Sequence, residues 1–174
     1  LKNKIHKIGF GGGCHWCTEA VFQSLKGVEK VEQGFIASNG DHASFSEAVI
    51  VYFDPTIISL KELSEIHLYT HKSTSEHSMR SKYRSAIYYF EMDQKEEIAQ
   101  ILSELQSYFD QSIVTKALPF CNFKASETQF QNYYYNNPEK PFCERHIHPK
   151  LSLLRTKFKK VADHQKINRK EPIL

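Results

Sequence analysis

Long apolar runs are missing from this 174-residue chain. No stretch approaches the roughly 18 residues that a membrane-spanning helix requires, and no charged-then-apolar leader precedes the first predicted strand. A water-soluble, cytoplasmic protein is the expectation. Cysteine is scarce, with four residues in all. That is too few for a scaffold stapled by disulfides, so the 40% of hydrophobic residues must supply the core and the cysteines are free for chemistry. Charge of one sign is missing too: 23 basic residues stand against 20 acidic ones, a net charge of +3. The local excess is eight basic residues within 150–170. They flank Leu151, Leu154, Phe158 and Val161 at helical spacing, which reads as the solvated face of an amphipathic helix and not as a nucleic-acid or membrane surface. There is no internal repeat and no low-complexity tract, and the length suits one domain, residues 1–174, with 138–174 as a C-terminal extension.

Glycine is also sparse, seven residues, yet Gly9, Gly11, Gly12 and Gly13 crowd into one stretch that delivers Cys14-His15-Trp16-Cys17. Residues 5–10 have strand character. Beyond the cysteines, Ala20, Val21, Phe22 and Leu25 give a helical apolar pattern, with Gly27 as its expected C-cap. Cys14 is therefore predicted at a strand-to-helix turn, where unpaired N–H groups and the helix dipole favour thiolate over thiol. Cys17 lies one turn on, on the same face, close enough to capture an oxidised Cys14. Cys-x-x-Cys beside a βα unit reads first as redox-active. Two other readings stay open: a general thiol–disulfide oxidoreductase using Cys14 and Cys17, and a zinc module pairing them with Cys143-x-x-His146 and His148.

Strands are predicted over 28–37 and 45–53, the second so uniformly apolar at its end that it belongs inside a sheet covered on both faces. Ser59-x-x-Glu62 is a capping-box signature opening a helix with Leu60, Leu63 and Ile66. The polar stretch 70–82 is a surface loop and a candidate substrate rim. A strand over 83–90 follows, then a helix capped by Asp93-x-x-Glu96 and carrying Ile98, Ile101, Leu102, Leu105, Tyr108 and Phe109 on one stripe. A last strand over 113–119, an aromatic-rich helix over 126–137 and a basic helix from Pro149 complete the chain. Strands joined partly by hairpins and partly by helical crossovers make an α+β two-layer sandwich. Glu47 is the one acid in its strand and is in phase with Val49, Val51 and Phe53, so it faces the apolar side, a place suited to a proton donor. Tyr83 can bring a hydroxyl to the same edge.

Gly13-Cys14-His15-Trp16-Cys17 with Glu19-Ala20-x-Phe22 and Gly27-Val28, then Ser46-Glu47-Ala48-Val49 running into Phe53-Asp54-Pro55, then Tyr83-Arg84-Ser85-Ala86-Ile87, resembles the A-type peptide methionine sulfoxide reductases in order and spacing. Val114-Thr115, the segment 127–134, Asn137-Pro138, and Cys143 followed by Pro149-Lys150-Leu151 extend the resemblance over residues 4–160. It implies a ferredoxin-like α/β sandwich that reduces methionine S-sulfoxide, free or protein-bound, to methionine. No bound cofactor is implied, since thioredoxin or another dithiol supplies the electrons. Cys14 matches the nucleophile, Glu47 the proton donor, Tyr83 a hydroxyl that holds the sulfoxide oxygen, and Trp16 a wall for the substrate methyl. Cys143 matches the family's C-terminal resolving cysteine, with Cys17 the alternative, and Cys121 reads as a buried spectator.

The chain departs from the family pattern in three places. His15 stands where phenylalanine is usual, Phe35 where a tyrosine is usual, and the loop near Ser78 lacks an aspartate. Phe35 removes one hydroxyl from the oxygen site. As the first residue of a helix, His15 is expected to be exposed with little role, although an imidazole beside Cys14 can also stabilise a thiolate or polarise a substrate.

Overall fold

The structure, a computed structural model, describes residues 4–168. Its spine is β3 (Ser46–Phe53), buried along nearly its whole length. Both faces of this strand are apolar: Val49, Val51 and Phe53 enter the larger core, while Ala48 and Ile50 join Ile36, Ala86, Tyr88 and Leu118 on the opposite side of the sheet. A strand without polar alternation is satisfied only in a sheet interior. β3 lies between β1 (His6–Gly11) and β2 (Val28–Ala37), antiparallel to both. β4 (Ala86–Tyr89) pairs antiparallel with β1 and parallel with β5 (Lys116–Pro119). β6 (Asn122–Ala125) pairs with the free side of β2, giving the order β5-β4-β1-β3-β2-β6.

Helix α1 (His15–Gln23) connects β1 to β2, α2 (Leu60–Tyr69) connects β3 to β4, and α3 (Met92–Leu105) connects β4 to β5. Their apolar stripes close the larger core, into which Phe22, Leu63, Ile66, Ile98 and Ile101 are buried. The capping box at α2 forms as predicted: the Glu62 N–H donates to the Ser59 hydroxyl at 3.0 Å and the Ser59 N–H donates back to the Glu62 carboxylate at 3.0 Å. α3 starts earlier than predicted, on a box made by Glu91 and Gln94. α1 ends at Gln23 with Ser24 as its cap. Gly27 instead takes φ +85° in the turn into β2, where a Cβ would press within 2.9 Å of Ile57 and Ile58.

The predicted helix over 126–137 does not form. A 3₁₀ turn at Thr128–Phe130 is followed by α4 (Tyr133–Asn136), entered through Asn132 at φ +55°. The cause is tertiary. The Glu19 carboxylate of α1 accepts the N–H groups of Asn132 at 2.9 Å and Tyr133 at 3.1 Å, while Gln131 bonds the backbone of Gln33. The two Glu19 bonds take backbone donors that a continuous helix would use on itself, and the Gln131 side chain ties the segment to β2. α5 (His148–Lys157), with Pro149 in its first turn, buries Leu151 and Leu154, and α6 (His164–Ile167) follows. Residues 169–174 of the expected extension lie outside the described residues. Among the described residues no helix is long and apolar enough to cross a membrane.

Candidate active site

Gly12 and Gly13 carry the chain from β1 to α1. Gly12 has no room for a side chain, because a Cβ there would sit 2.4 Å from the His71 imidazole. That ring is itself pinned: its Nδ1 donates to the His67 carbonyl at 2.5 Å and its Nε2 meets the Ser85 hydroxyl at 2.8 Å, which meets Thr115 at 2.7 Å. His67 Nε2 donates to the Gly11 carbonyl at 2.8 Å. Burial pushes the His71 pKa down to about 3 and that of His67 well below its ordinary value, so both rings brace the glycine loop as neutral groups. From the other side Arg80 donates to the Gly12 and Tyr83 carbonyls, each at 2.9 Å, fixing Tyr83 relative to the loop.

Cys14 is the N-cap of α1, and its carbonyl accepts the N–H groups of Cys17 at 3.1 Å and Thr18 at 3.2 Å. Its thiol pKa is lowered chiefly by a hydrogen bond from the Cys17 thiol, with help from the Trp16 and Cys17 N–H groups. Burial and the Glu47 carboxylate oppose the shift. Cys17 moves the other way, pushed far up by the same hydrogen bond, by burial and by the Cys14 charge. Of the two, Cys14 is thus the sulfur that deprotonates more readily and Cys17 the one that keeps its proton.

Glu47 occupies the predicted face, on the side of the sheet where α1 packs. It is 8% exposed, and its Oε1 accepts the His15 N–H at 3.2 Å. The strand start that carries it is tied to the Tyr83 loop: the Glu47 N–H donates to the Lys82 carbonyl at 3.0 Å, and Ser46 Oγ accepts the Arg84 N–H at 2.7 Å. Tyr83 itself lies in this loop, ahead of β4, and not on a strand as predicted. Lys82 Nζ stands 3.8 Å from Glu47 Oε2 and 5.1 Å from the Tyr83 ring centroid.

His15 overturns the expectation of an exposed residue. It is buried, its Nδ1 lies 2.7 Å from the Gly34 carbonyl, its Nε2 lies 3.4 Å from Glu47 Oε1, and its ring meets Phe35 edge-on at 5.1 Å. Phe35 and Glu47 are register partners on β2 and β3, which is why both reach the same ring. Burial lowers the His15 pKa, partly countered by the Gly34 carbonyl and Glu47.

Trp16 is clamped between aromatic rings, stacked on Tyr133 at 3.9 Å with Phe142 edge-on at 5.3 Å. Tyr133 is held there by Glu19, whose carboxylate accepts its N–H; from the sequence Glu19 was read only as part of the family motif, with no role of its own. His67 was missed because it lies between Ile66 and Leu68 in the apolar helix α2, and His71, Arg80 and Lys82 were read only collectively, as part of the polar rim 70–82.

Cys143 is fully buried in a π-helical turn, Cys143–Ile147, packed against α1. Burial raises its pKa, and the Cys14 charge adds to the rise. All four cysteines are unpaired, and Cys121 is exposed, not buried as expected. No group of three His, Cys, Asp or Glu side chains among the described residues is placed to hold a metal ion. His146 packs on Phe142 at 4.8 Å and His148 on Tyr134 at 5.6 Å, while Cys143 is buried, and the three do not come together as a metal-holding group with Cys14 and Cys17. A cleft of about 620 Å³ opens over Cys14, lined among others by Gly13, Cys17, Tyr83, Phe142 and Lys150.

A cysteine at a helix start whose deprotonation is favoured by a second thiol one turn on, with a buried carboxyl beside that turn, marks an oxidoreductase that works through cysteine sulfur. The comparisons narrow the class: the family model for peptide methionine sulfoxide reductase matches residues 6–162, and the chain belongs to that family. It is 37% identical to the peptide methionine sulfoxide reductase MsrA of Deinococcus radiodurans, over 84% of this chain and 79% of that protein. Among solved structures it resembles Mxr1 from Saccharomyces cerevisiae in its reduced form, at 24% identity and TM-score 0.71, covering 82% of this chain and 91% of that one. It also resembles Mxr1 solved in complex with Trx2, at 24% identity and TM-score 0.59, covering 75% of this chain and 88% of that one.

Proposed function

We propose that this chain reduces methionine S-sulfoxide, in proteins or free, to methionine, with Cys14 as nucleophile, Glu47 as proton donor and Tyr83 as a hydroxyl holding the sulfoxide oxygen. The observation that carries the reading is the division of protons at the head of α1: a Cys14 sulfur favoured as thiolate by the Cys17 thiol, and the Glu47 carboxyl brought to the same helix turn. A sulfoxide oxygen leaves poorly until protonated, so attack at sulfur needs both groups. Thiolate, sulfoxide and one proton give a Cys14 sulfenic acid and methionine. A second thiol then condenses with the sulfenic acid, releasing water and leaving a disulfide.

Cys143 is proposed as that thiol, since it packs against α1 within electrostatic reach of Cys14 and Cys17. A Cys14–Cys17 bridge is the alternative. Two electrons and two protons from thioredoxin or a similar dithiol restore the site, and no resident cofactor is needed. His15, Trp16 and Phe35 are assigned to the substrate pocket, and the protein to the cytoplasm. The fold is read as a ferredoxin-like two-layer sandwich, on the strength of the β4-β1-β3-β2 order built from two split β-α-β units, with the last two strands added at the edges. The whole chain is taken as one domain with 138–174 as its extension.

Stoichiometric oxidation tests the cycle. Reduced protein is treated with one equivalent of methionine sulfoxide, free thiols are blocked, and linked peptides are mapped. A Cys14–Cys143 bridge is expected; a Cys14–Cys17 bridge with Cys143 fully alkylated moves the resolving role to Cys17, and four alkylated cysteines refute the cycle.

A further inference from the structure

His15 is fixed by two acceptors of different kinds. A carbonyl oxygen can only accept, so the ring nitrogen 2.7 Å from the Gly34 carbonyl, Nδ1, carries a proton. In the neutral ring Nε2 then presents a lone pair, and the nearest charged oxygen to that nitrogen is Glu47 Oε1, at an ion-pair distance of 3.4 Å. Oε1 in turn receives the His15 backbone N–H at 3.2 Å. Two acceptors without a proton between them, this close in a site where both residues are more than nine-tenths buried, repel each other. One proton between ring and carboxyl removes the conflict.

We propose that His15 and Glu47 hold one proton jointly and together form the acid of the reaction, with His15 as the positioning residue that keeps the proton on Glu47. The inference rests on the sulfoxide-reduction reading above. Burial disfavours the imidazolium, so the shared proton lies on the carboxyl side, from which the sulfoxide oxygen takes it. The proton count closes over a cycle. The dyad gives one proton as Cys14 becomes a sulfenic acid, condensation with the second thiol releases water, and the carrier dithiol brings two protons. One of these goes to the resolving thiol and one back to the dyad, while Cys14 leaves as thiolate.

The charged groups facing the pair are Lys82 Nζ, 3.8 Å from Glu47 Oε2 on the loop before β4, and the Cys14 thiolate at the start of α1; Phe35, from β2, is apolar. Without Nε2, Glu47 keeps the His15 backbone N–H and Lys82 as its donors and loses the one neighbour that can accept a carboxylic proton. His15 is thus predicted to extend activity toward alkaline pH.

The test compares pH profiles of kcat/KM, with dithiothreitol as reductant, for the parent, His15→Phe and His15→Gln. Phenylalanine keeps the ring packing, and glutamine keeps a donor for the Gly34 region. In both variants the alkaline decline is expected about one pH unit lower, with a loss of about tenfold at pH 8 and less than about threefold on the acid side. A uniformly lowered profile, or three superimposable declines, overturns the proposal. An imidazole ¹⁵N NMR titration decides the dyad without turnover: His15 is expected as the Nδ1–H tautomer, and Glu47→Gln should move its titration by about half a unit or more. An unmoved His15 titration overturns the dyad. Absence of sulfoxide turnover in the parent, with that coupling present, refutes the reaction reading and leaves the shared proton standing.

Discussion

Acidification should loosen this fold before it protonates the carboxylates, through the histidines behind the glycine loop, His67 buried and His71 half-buried. His71 has a folded pKa of about 3, against an ordinary value of 6.5, because its half-buried ring loses water where it packs against His67, Ser85 and the loop backbone. The folded value lies below the unfolded one, so the unfolded chain binds the extra proton first. Stability is complete above about pH 6.5 and is lost as pH falls toward 3. At pH 5 the unfolded imidazole is protonated about thirtyfold over and the folded one hardly at all, which costs about 2 kcal/mol from this residue alone. His67, shifted in the same direction, adds to the loss. Urea unfolding at pH 8 and pH 5 measures it, with His71→Asn as control, since the asparagine amide can still donate to the His67 carbonyl. The parent should lose about 2 kcal/mol more than the variant across that interval. Equal losses would mean that the ring is already reached by water or protonated in the fold.

Three further outcomes follow from the site. Cys17→Ala removes the thiol that most favours the Cys14 thiolate, so the Cys14 titration followed by thiolate absorbance near 240 nm should move to higher pH; an unmoved midpoint would assign the shift to the helix N–H groups instead. Glu47→Gln keeps shape and a hydrogen bond but has no carboxylic proton to give, and should lower kcat/KM by about 10²-fold or more, while near-parental rates would make Glu47 structural. Glu19→Ala leaves the N–H groups of Asn132 and Tyr133 without their acceptor and takes from the Gln33 amide one of its two, the Phe130 carbonyl remaining, and should cost about 2–4 kcal/mol in denaturant unfolding. It should also free Tyr133 from Trp16, read as a change in tryptophan fluorescence; unchanged stability and emission would remove Glu19 from its anchoring role.

Much of the frame was legible because it is written in local pattern. The unbroken apolar run of β3 announces an interior strand, its phase puts Glu47 on the α1 side, and Ser59-x-x-Glu62 announces the start of α2. The segment after β5 was not legible, because its shape is dictated from elsewhere in the chain. Glu19, more than a hundred residues away, captures the backbone N–H groups that a helix over 126–137 would need, and β6, polar and largely exposed, carries none of the apolar signal of the inner strands. His15 failed for the same reason. A first-turn position normally faces water, but here β2 and β3 run beneath the helix start and supply Gly34 and Glu47 as partners for the ring.

The central claim is that the Cys14 sulfur attacks one hand of a sulfoxide. It is tested most directly by supplying the two diastereomers of a blocked methionine sulfoxide separately to the parent and to Cys14→Ser, with dithiothreitol as reductant. Turnover of the S form alone by the parent is expected, with Cys14→Ser folded and inactive. Equal use of both diastereomers, no use of either, or a Cys14→Ser rate within about tenfold of the parent would contradict the claim.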